Sequence, residues 1–541
     1  MTPTPAPATV WSVLSESARR NADWEAVADC GERLTYGELA AAASRAGRAM
    51  AAAGVVHGDR VCLWAPNSAR WAVVALGAHS IGAVVVPINT RASGDEAAVH
   101  LRRTRSRMLF VDNGFLGTGY ASLLWTVAGP PAGDRPARDL PDLRHIVDLH
   151  NGAAGPVTGW SEFLSGADRP LRLDLRSSRR HSPATTGGVA YVMSTSGSAG
   201  AAKGVVLRHG QVVRVYRALA QRLGIGAGDR ILGVNPLSHS FGLNAGLLAA
   251  LVVGGCYVPV DVFDPAAVLD RIEAERITVV SGPPTLFTDL IAASARRGRL
   301  DPAPRLAVTG AATVSTRLLE DIRARLGIPF VATGYGLTEA AGTVTAQYPR
   351  ADEVRTLAAP PLPGVRIRIV DRAGTDLAPG EAGEVLIHGY NVMTGYFEDE
   401  TATGAALDDE GWLHTGDIGV LDETGALRVV DRIGEMFIVG GFNVYPAEVE
   451  QALIRHPAVA EVAVVGAPDE RLGERAIAFV VAAPGRAVDE DELREHCRRL
   501  LAGYKVPARV VTLGELPRTP SGKSDRNALR AVVRLRSAQT P

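Results

Sequence analysis

Apolar positions along the chain recur with two periods. Thr35-Tyr36-Gly37-Glu38 has the S/T-x-x-E form of a capping box and predicts an Ala-rich helix running to about Ala53. Residues 60–64 read as a short apolar strand, 67–81 return to helix, and 83–87 form the unbroken apolar run of a strand covered on both faces. The pattern returns at 276–281 and 305–309, two strands flanking a helix. At 316–326, Leu318, Leu319, Ile322 and Leu326 fall at helical intervals. Such βαβ alternation predicts parallel sheets with helices outside.

Near residue 355 the texture changes. Val365, Ile367 and Ile369 alternate with Arg366 and Arg368, 384–388 is a second strand, and turn residues are dense, which predicts a smaller antiparallel barrel or sheet. From residue 431 the chain crosses into a compact region with its own strand–helix alternation, with Pro446 at a helix start and strands at 459–465 and 476–481. The fold class is therefore α/β: a large N-terminal domain (1–431) of parallel sheets and helices with a small β-barrel-like subdomain, a connection at 432–436, and a small α+β C-terminal domain (437–541). The Gly-, Pro-, Arg- and Asp-rich stretch 126–188 is expected as a surface excursion, and the last ten residues as disordered. Residues 245–260, the longest uncharged apolar run, are broken by Gly254, Gly255 and Pro259 and fall short of the roughly 20 residues that span a bilayer. They read as a buried helix running into a buried strand.

Composition narrows the function. At roughly 150 residues per domain, 541 residues allow about two to four domains. Lys+Arg number 57 against 58 Asp+Glu, so a net charge of −1 gives no field to draw nucleic acid or anionic lipid. Cys30, Cys62, Cys256 and Cys497 form no CxxC pair, which argues against a disulfide framework or a zinc knuckle. With a start, MTPTPAPATVW, that lacks the basic and apolar regions of a secretory signal, a cytoplasmic location is expected. Of the 57 basic residues only Lys203, Lys505 and Lys523 are lysine. Against so strong an arginine background, each is a candidate for work that needs a compact point charge on a flexible stem.

Lys203 closes the stretch Ser194-Thr-Ser-Gly-Ser-Ala-Gly-Ala-Ala-Lys-Gly204, which follows an apolar strand at 188–193. Small and hydroxylated residues let backbone N–H groups turn toward phosphate oxygens. The loop is not a Walker A motif, because Ala202 precedes the lysine and Gly204 follows it. By itself it could be a linker. Six more strings follow in order: Pro236-Leu-Ser-His239-Ser-Phe-Gly242, Gly334-Tyr-Gly-Leu-Thr-Glu339, Gly383-Glu-Val-Leu-Ile-His-Gly389, Trp412-Leu-His-Thr-Gly-Asp417, Gly440-Gly-Phe-Asn-Val-Tyr-Pro446 and Pro520-Ser-Gly-Lys523.

Together these strings, over residues 10 to 531, resemble the acyl-CoA synthetase branch of the ANL superfamily of adenylate-forming enzymes. The resemblance implies a two-step reaction in one site. A carboxylate attacks the α-phosphate of ATP to give acyl-AMP and pyrophosphate, and the thiol of CoA then displaces AMP. It implies that Thr195, Ser196, Gly197, Ser198, Gly200 and Lys203 hold the β- and γ-phosphates. Thr338 would bond the α-phosphate and Glu339 would hold Mg²⁺, a cation that takes oxygen ligands. Gly310, Ala311, Ala312 and Tyr335 would sandwich adenine, with Gly334 and Gly336 also in the nucleotide site, while Asp417 would accept both ribose hydroxyls and Arg432 would add a ribose or phosphate contact. Lys523 would bridge the carboxylate and α-phosphate, a role for which a fixed donor contributes on the order of 3–4 kcal/mol. His239 would border an acyl pocket formed with Ser240, Phe241, Asn244, Gly246, Thr309, Gly310, Gly334, Gly336, Ala340 and Gly342, mostly small residues that leave room for a broad acid. A buried structural histidine is the competing reading of His239. In the family the small domain is mobile and swings after the first step, bringing Gly440, Gly441 and Phe442 to the site for the pantetheine arm.

The sequence departs from the family pattern at Ala199, which lacks a hydroxyl, at Ala202 in place of proline, and at Gly434, a hinge position usually Lys or Asp. These changes touch the adenylation half. An enzyme that mainly converts supplied acyl-AMP to acyl-CoA is therefore an alternative to the full ligase. A luciferase-like oxygenase and an acyl-AMP-only enzyme share the motifs and stay open, as does a non-catalytic nucleotide-binding scaffold. A serine hydrolase is disfavoured because no G-x-S-x-G elbow is present. The set 308–313 together with Gly440–Pro446 is most similar to bacterial ligases of steroid-ring fragments and related polycyclic acids. Expected partners are a small carboxylic acid or acyl-AMP, ATP and CoA, without nucleic acid or a transmembrane segment. A homodimer is left open, since nothing in the sequence encodes the oligomeric state.

Overall fold

Side-chain oxygens fix where the N-terminal helices begin. Thr9, Thr35, Ser68 and Ser93 accept amide hydrogens at the starts of Val10–Arg20, Tyr36–Ala52, Ala69–Ser80 and Gly94–Arg103. The Thr35 box is reciprocal: Glu38 N donates to Thr35 Oγ1 at 3.2 Å, and Thr35 N donates to Glu38 Oε2 at 2.9 Å. The computed structural model describes residues 8–130, 137, 139–151, 156–168, 184–194, 203–295, 297, 299–310, 314–347, 357–433, 435–439, 442–469, 471–519 and 524–537.

The helices pack on two eight-stranded sheets. One runs, in spatial order, Thr345–Ala346, Phe330–Tyr335, Leu306–Gly310, Val279–Gly282, Arg230–Gly233, Cys256–Pro259, Glu25–Ala28 and Arg33–Thr35, parallel except at its two edges. The other runs Gly395–Tyr396, Gly204–Arg208, Val189–Ser194, Val84–Pro87, Arg60–Trp64, Met108–Val111, His145–Asp148 and Thr158–Gly159, with antiparallel pairing confined to its first three strands. Leu243, Leu247 and Leu248 join Trp71, Tyr191 and Tyr216 in one core cluster that draws residues from both sheets. Burying each large apolar side chain there contributes about 1.5–3 kcal/mol before entropy is counted. The long apolar run is the helix-into-strand it was expected to be, a π turn Leu243–Leu248 continuing as Ala249–Val253 and ending in Cys256–Pro259.

Two expectations need correction. The stretch 126–188 is not simply a surface excursion. His145–Asp148 and Thr158–Gly159 are strands of the second sheet, and Val147, Trp160 and Phe163 reach its core. Gly, Pro and Asp around short strands hid them. The last ten residues are not all irregular, because the helix Arg526–Ser537 takes in the first six of them. The smaller antiparallel sheet expected after residue 355 is present as a meander of Val365–Val370, Gly383–Gly389, Leu413–Leu421 and Leu427–Arg432, whose first and last strands are unpaired with each other among the described residues.

The small C-terminal domain carries strands in the order Phe442–Val444, Phe437–Val439, Gly473–Ala482 and Val459–Asp469, with Arg509–Leu513 parallel to Gly473–Ala482. Val444, Leu453, Val464 and Leu493 form its own core, and Pro446 opens the helix Pro446–Leu453 as its fixed φ allows. Where the chain passes between the domains, buried Asp431 accepts the amide of Ala447 at 3.0 Å. Arg526 donates to both oxygens of Glu450 at 2.8 Å and also pairs with Glu435.

Candidate active site

The first feature is a close approach of backbones at the C-terminal ends of parallel strands, where open α/β sheets receive ligands. Gly310 and Gly334 face each other in register, and a Cβ on Gly310 would lie 2.8 Å from the Gly334 carbonyl oxygen. Just beyond, a Cβ on Gly336 would lie 2.1 Å from the Gly342 oxygen, and Gly342 itself has φ +89°. Only residues without side chains let the chain fold back this tightly. The fold-back holds the single turn Thr338–Ala340, which presents Thr338 and Glu339 half-buried at the sheet edge.

Beside it, Asp417 is 4% exposed and engaged at both oxygens. Tyr335 donates its hydroxyl to Oδ2 at 2.5 Å, and Arg432 Nε donates to Oδ1 at 2.7 Å. Burial, reinforced by the Asp417 charge, pushes the Tyr335 phenol well up, so it remains a donor. A carboxylate has about four lone-pair sites, so each Asp417 oxygen keeps capacity for a further hydroxyl.

On the other flank Tyr396 donates to Glu339 Oε1 at 3.0 Å, and the ammonium of exposed Lys203 lies 4.8 Å from the centre of its ring. Burial and then the Glu339 charge raise the Tyr396 phenol, keeping it protonated. Gly395–Tyr396 pairs with Val205 and Val206 immediately after Lys203, and Met393 N donates to the Glu339 carbonyl at 2.7 Å. The loop's entry is held as well: Ser194 Oγ lies 3.0 Å from Nδ1 of His100, whose ring burial keeps below the usual histidine range.

His239 is exposed and caps the next turn, its Nδ1 accepting the Phe241 amide at 3.2 Å, so it is not a core histidine. The loop that carries it is clasped by buried Asn67. Its Nδ2 donates to the carbonyls of Gly233 and Asn235 at 2.8 and 2.9 Å, and its Oδ1 accepts the Leu237 amide at 2.7 Å. Ser240 lies against Gly342, within 3.3 Å of where a Cβ there would sit, so the His239 segment and the Glu339 segment meet. Ala340 and Asn244 are fully buried, and neither amide atom of Asn244 has a partner among the described residues. Strand alternation puts Thr309 on the face of Ala307, which belongs to the core cluster of Leu286 and Leu319, whereas Gly310 shares the opposite face with Leu306 and Val308.

Of the sequence-predicted site, Thr195, Ser196, Gly197, Ser198, Gly200, Ala311, Ala312, Gly434, Gly440, Gly441 and Lys523 lie outside the described residues, as do Ala199 and Ala202. Phe442 is described only as part of the strand Phe442–Val444. Sequence reasoning missed Tyr396, Asn67 and His100. For Tyr396 a signal existed in the Gly-Tyr pair of Gly389-Tyr-Asn-Val-Met-Thr-Gly-Tyr-Phe397.

Residues 14–397 match the AMP-binding enzyme family and residues 448–523 match the AMP-binding enzyme C-terminal domain. The chain belongs to the AMP-binding enzyme family. It is an adenylate-forming enzyme of the acyl-CoA synthetase type. A 3-(7a-methyl-1,5-dioxo-octahydro-1H-inden-4-yl)propanoyl:CoA ligase of Mycobacterium tuberculosis (strain ATCC 25618 / H37Rv) is 42% identical over 97% of this chain and 99% of the relative. The ligase of the same name from Rhodococcus jostii (strain RHA1) is 39% identical over 97% of this chain and 98% of the relative. Among solved structures, an anthranilate CoA ligase in complex with anthranoyl-AMP superposes with a TM-score of 0.87 at 26% identity, covering 99% of both chains. No described helix of this adenylate-forming enzyme is long and apolar enough to cross a membrane.

Proposed function

We propose that this enzyme joins a bulky, ring-bearing carboxylic acid to CoA through an acyl-AMP intermediate. The observation that carries the reading is the convergence of Tyr335, Asp417 and Arg432 on one side of the Thr338–Ala340 turn with Glu339, Tyr396 and Lys203 on the other. One flank offers a carboxylate for ribose hydroxyls, and the other offers a cation and an acid for polyphosphate and its counter-ion.

In the first step an oxygen of the acid attacks the α-phosphorus, and the bond to the pyrophosphate oxygen breaks. Lys203 neutralises the leaving phosphates, Thr338 donates to the α-phosphate, and Lys523 bridges the reacting oxygens. In the second step the CoA sulfur attacks the acyl carbonyl, and the bond to the AMP oxygen breaks. Glu339, a half-buried carboxylate with one oxygen used by Tyr396, has the oxygen chemistry to hold Mg²⁺, which would supply charge neutralisation between phosphates. We place the hinge at 432–436, with Gly440, Gly441 and Phe442 on the face that serves CoA.

The acid is proposed to resemble a fused bicyclic propanoate, as the names of the two similar ligases suggest. Ser240, Gly336, Ala340 and Gly342 keep that end of the site free of bulk. Incubating the protein with ATP, CoA and a panel of fused-ring, aromatic and linear acids, with mass-spectrometric detection of acyl-AMP and acyl-CoA, tests it. Thioester from a fused-ring acid is expected, and thioester from linear acids alone would overturn the substrate assignment. A parallel arm with preformed acyl-AMP and CoA reads the second step alone. Product there but no acyl-AMP from any acid would establish the split ligase that Ala199, Ala202 and Gly434 suggest.

A further inference from the structure

Tyr396 touches two charged groups of the site at opposite ends of its side chain. Its hydroxyl holds Glu339 Oε1 at 3.0 Å, and its ring face lies 4.8 Å from the ammonium of Lys203. Its backbone is equally placed. Tyr396 N donates to Thr403 Oγ1 at 2.9 Å, Phe397 N donates to the Gly204 carbonyl at 2.7 Å, and Met393 N donates to the Glu339 carbonyl at 2.7 Å. The two-residue strand Gly395–Tyr396 thus splints the end of the phosphate loop to the turn that carries Glu339.

We propose that Tyr396 is a positioning residue that sets Lys203 and Glu339 at a fixed separation, and that it serves the ATP-dependent half-reaction rather than thioester formation. The proposal rests on the reading of Lys203 and Glu339 given above. Lys203 is exposed on a four-carbon stem, so without a partner its charge would spread over many rotamers. An aromatic face confines an ammonium to one side of the ring. The hydroxyl ties one Glu339 oxygen. Oε2 has no hydrogen bond among the described residues, so it remains available to a hard cation. The β- and γ-phosphates and their counter-ion occupy the site only until pyrophosphate leaves. A residue that works through Lys203 and Glu339 therefore has nothing to position afterwards.

The test uses the full chain and two variants. Tyr396→Phe keeps the ring and removes the hydroxyl, and Tyr396→Leu removes both. Three quantities are measured: ATP binding by calorimetry across a magnesium titration, carboxylate-dependent ATP–pyrophosphate exchange, and acyl-CoA formation from preformed acyl-AMP. Tyr396→Phe should raise the magnesium concentration for half-maximal ATP binding about tenfold, because a hydrogen bond to a charged group is lost. Tyr396→Leu should add a further several-fold loss of ATP affinity at saturating magnesium, which the phenylalanine variant does not show. Acyl-CoA formation from acyl-AMP should stay within about twofold of wild type in both variants. Equal loss of both half-reactions, or an unmoved magnesium dependence, overturns the proposal and leaves Tyr396 a packing residue. Because the calorimetry needs no turnover, a wild type that binds ATP but activates no acid would count against the proposed function, while the Tyr396 result would still be read.

Discussion

The hydroxyl of Tyr335 and the carboxylate of Asp417 meet at 2.5 Å, although they come from strands of different sheets. Together with Arg432 this fixes the orientation of Asp417, the residue proposed to take the ribose. Asp417→Ala should lower ATP affinity about 10- to 100-fold, the range for hydrogen bonds to a charged group. It should slow both half-reactions, since AMP stays bound through each. Tyr335→Phe should cost less, about tenfold, by loosening the acceptor without removing it. Calorimetry with ATP and with AMP, beside each half-reaction assay, checks both.

Lys523→Ala should separate the two chemistries. If Lys523 is the donor proposed above, its loss should lower acyl-AMP formation about 10²- to 10³-fold, while thioester formation from supplied acyl-AMP changes only a few-fold. Single-turnover measurement of each step decides it. Equal losses would place Lys523 outside the adenylating arrangement.

Gly336→Ala would push a methyl group to 2.1 Å from the Gly342 oxygen, a contact no side-chain rotation can relieve. The Thr338–Ala340 turn must open. A loss of about 2–4 kcal/mol in urea unfolding is expected, with ATP binding lost together with stability. Unchanged stability would mean that the fold-back tolerates a side chain.

Acid should weaken the fold between the sheets. His79 and His209 are fully buried and lie edge-on with ring centres 4.8 Å apart. Burial, then the neighbouring ring, holds His79 well below the usual range. Burial, then His57, holds His209 at about 4. The folded pKa values are depressed, so this stability is complete above the unfolded value near 6.5 and is lost as pH falls toward the folded ones. Each imidazole should cost about 1.4 kcal/mol per pH unit below 6.5. Urea midpoints at pH 7, 6 and 5 report the slope, and His209→Gln should make it shallower.

The sequence announced those parts whose signal is local. The Thr35–Glu38 box, the buried strands at 60–64 and 83–87, and the glycines around Thr338 are each dictated within a few residues, and the structure has them. What it did not announce depends on partners far along the chain. Gly395–Tyr396 is a strand only because Val205 and Val206 lie beside it, and a pair of residues has no period to detect. His145–Asp148 gains its meaning from Met108–Val111, not from its polar surroundings. Asn67 is an ordinary polar residue until the fold brings Gly233, Asn235 and Leu237 around it.

That clasp makes one small amide a keystone for the His239 loop, which is proposed above to border the acid. Asn67 comes from a stretch with none of the recognisable strings, yet three backbone groups near His239 lean on it. A swap of segments that copied every signature but drew this corner from a relative with a different side chain would assemble the nucleotide half correctly and leave the other half out of true.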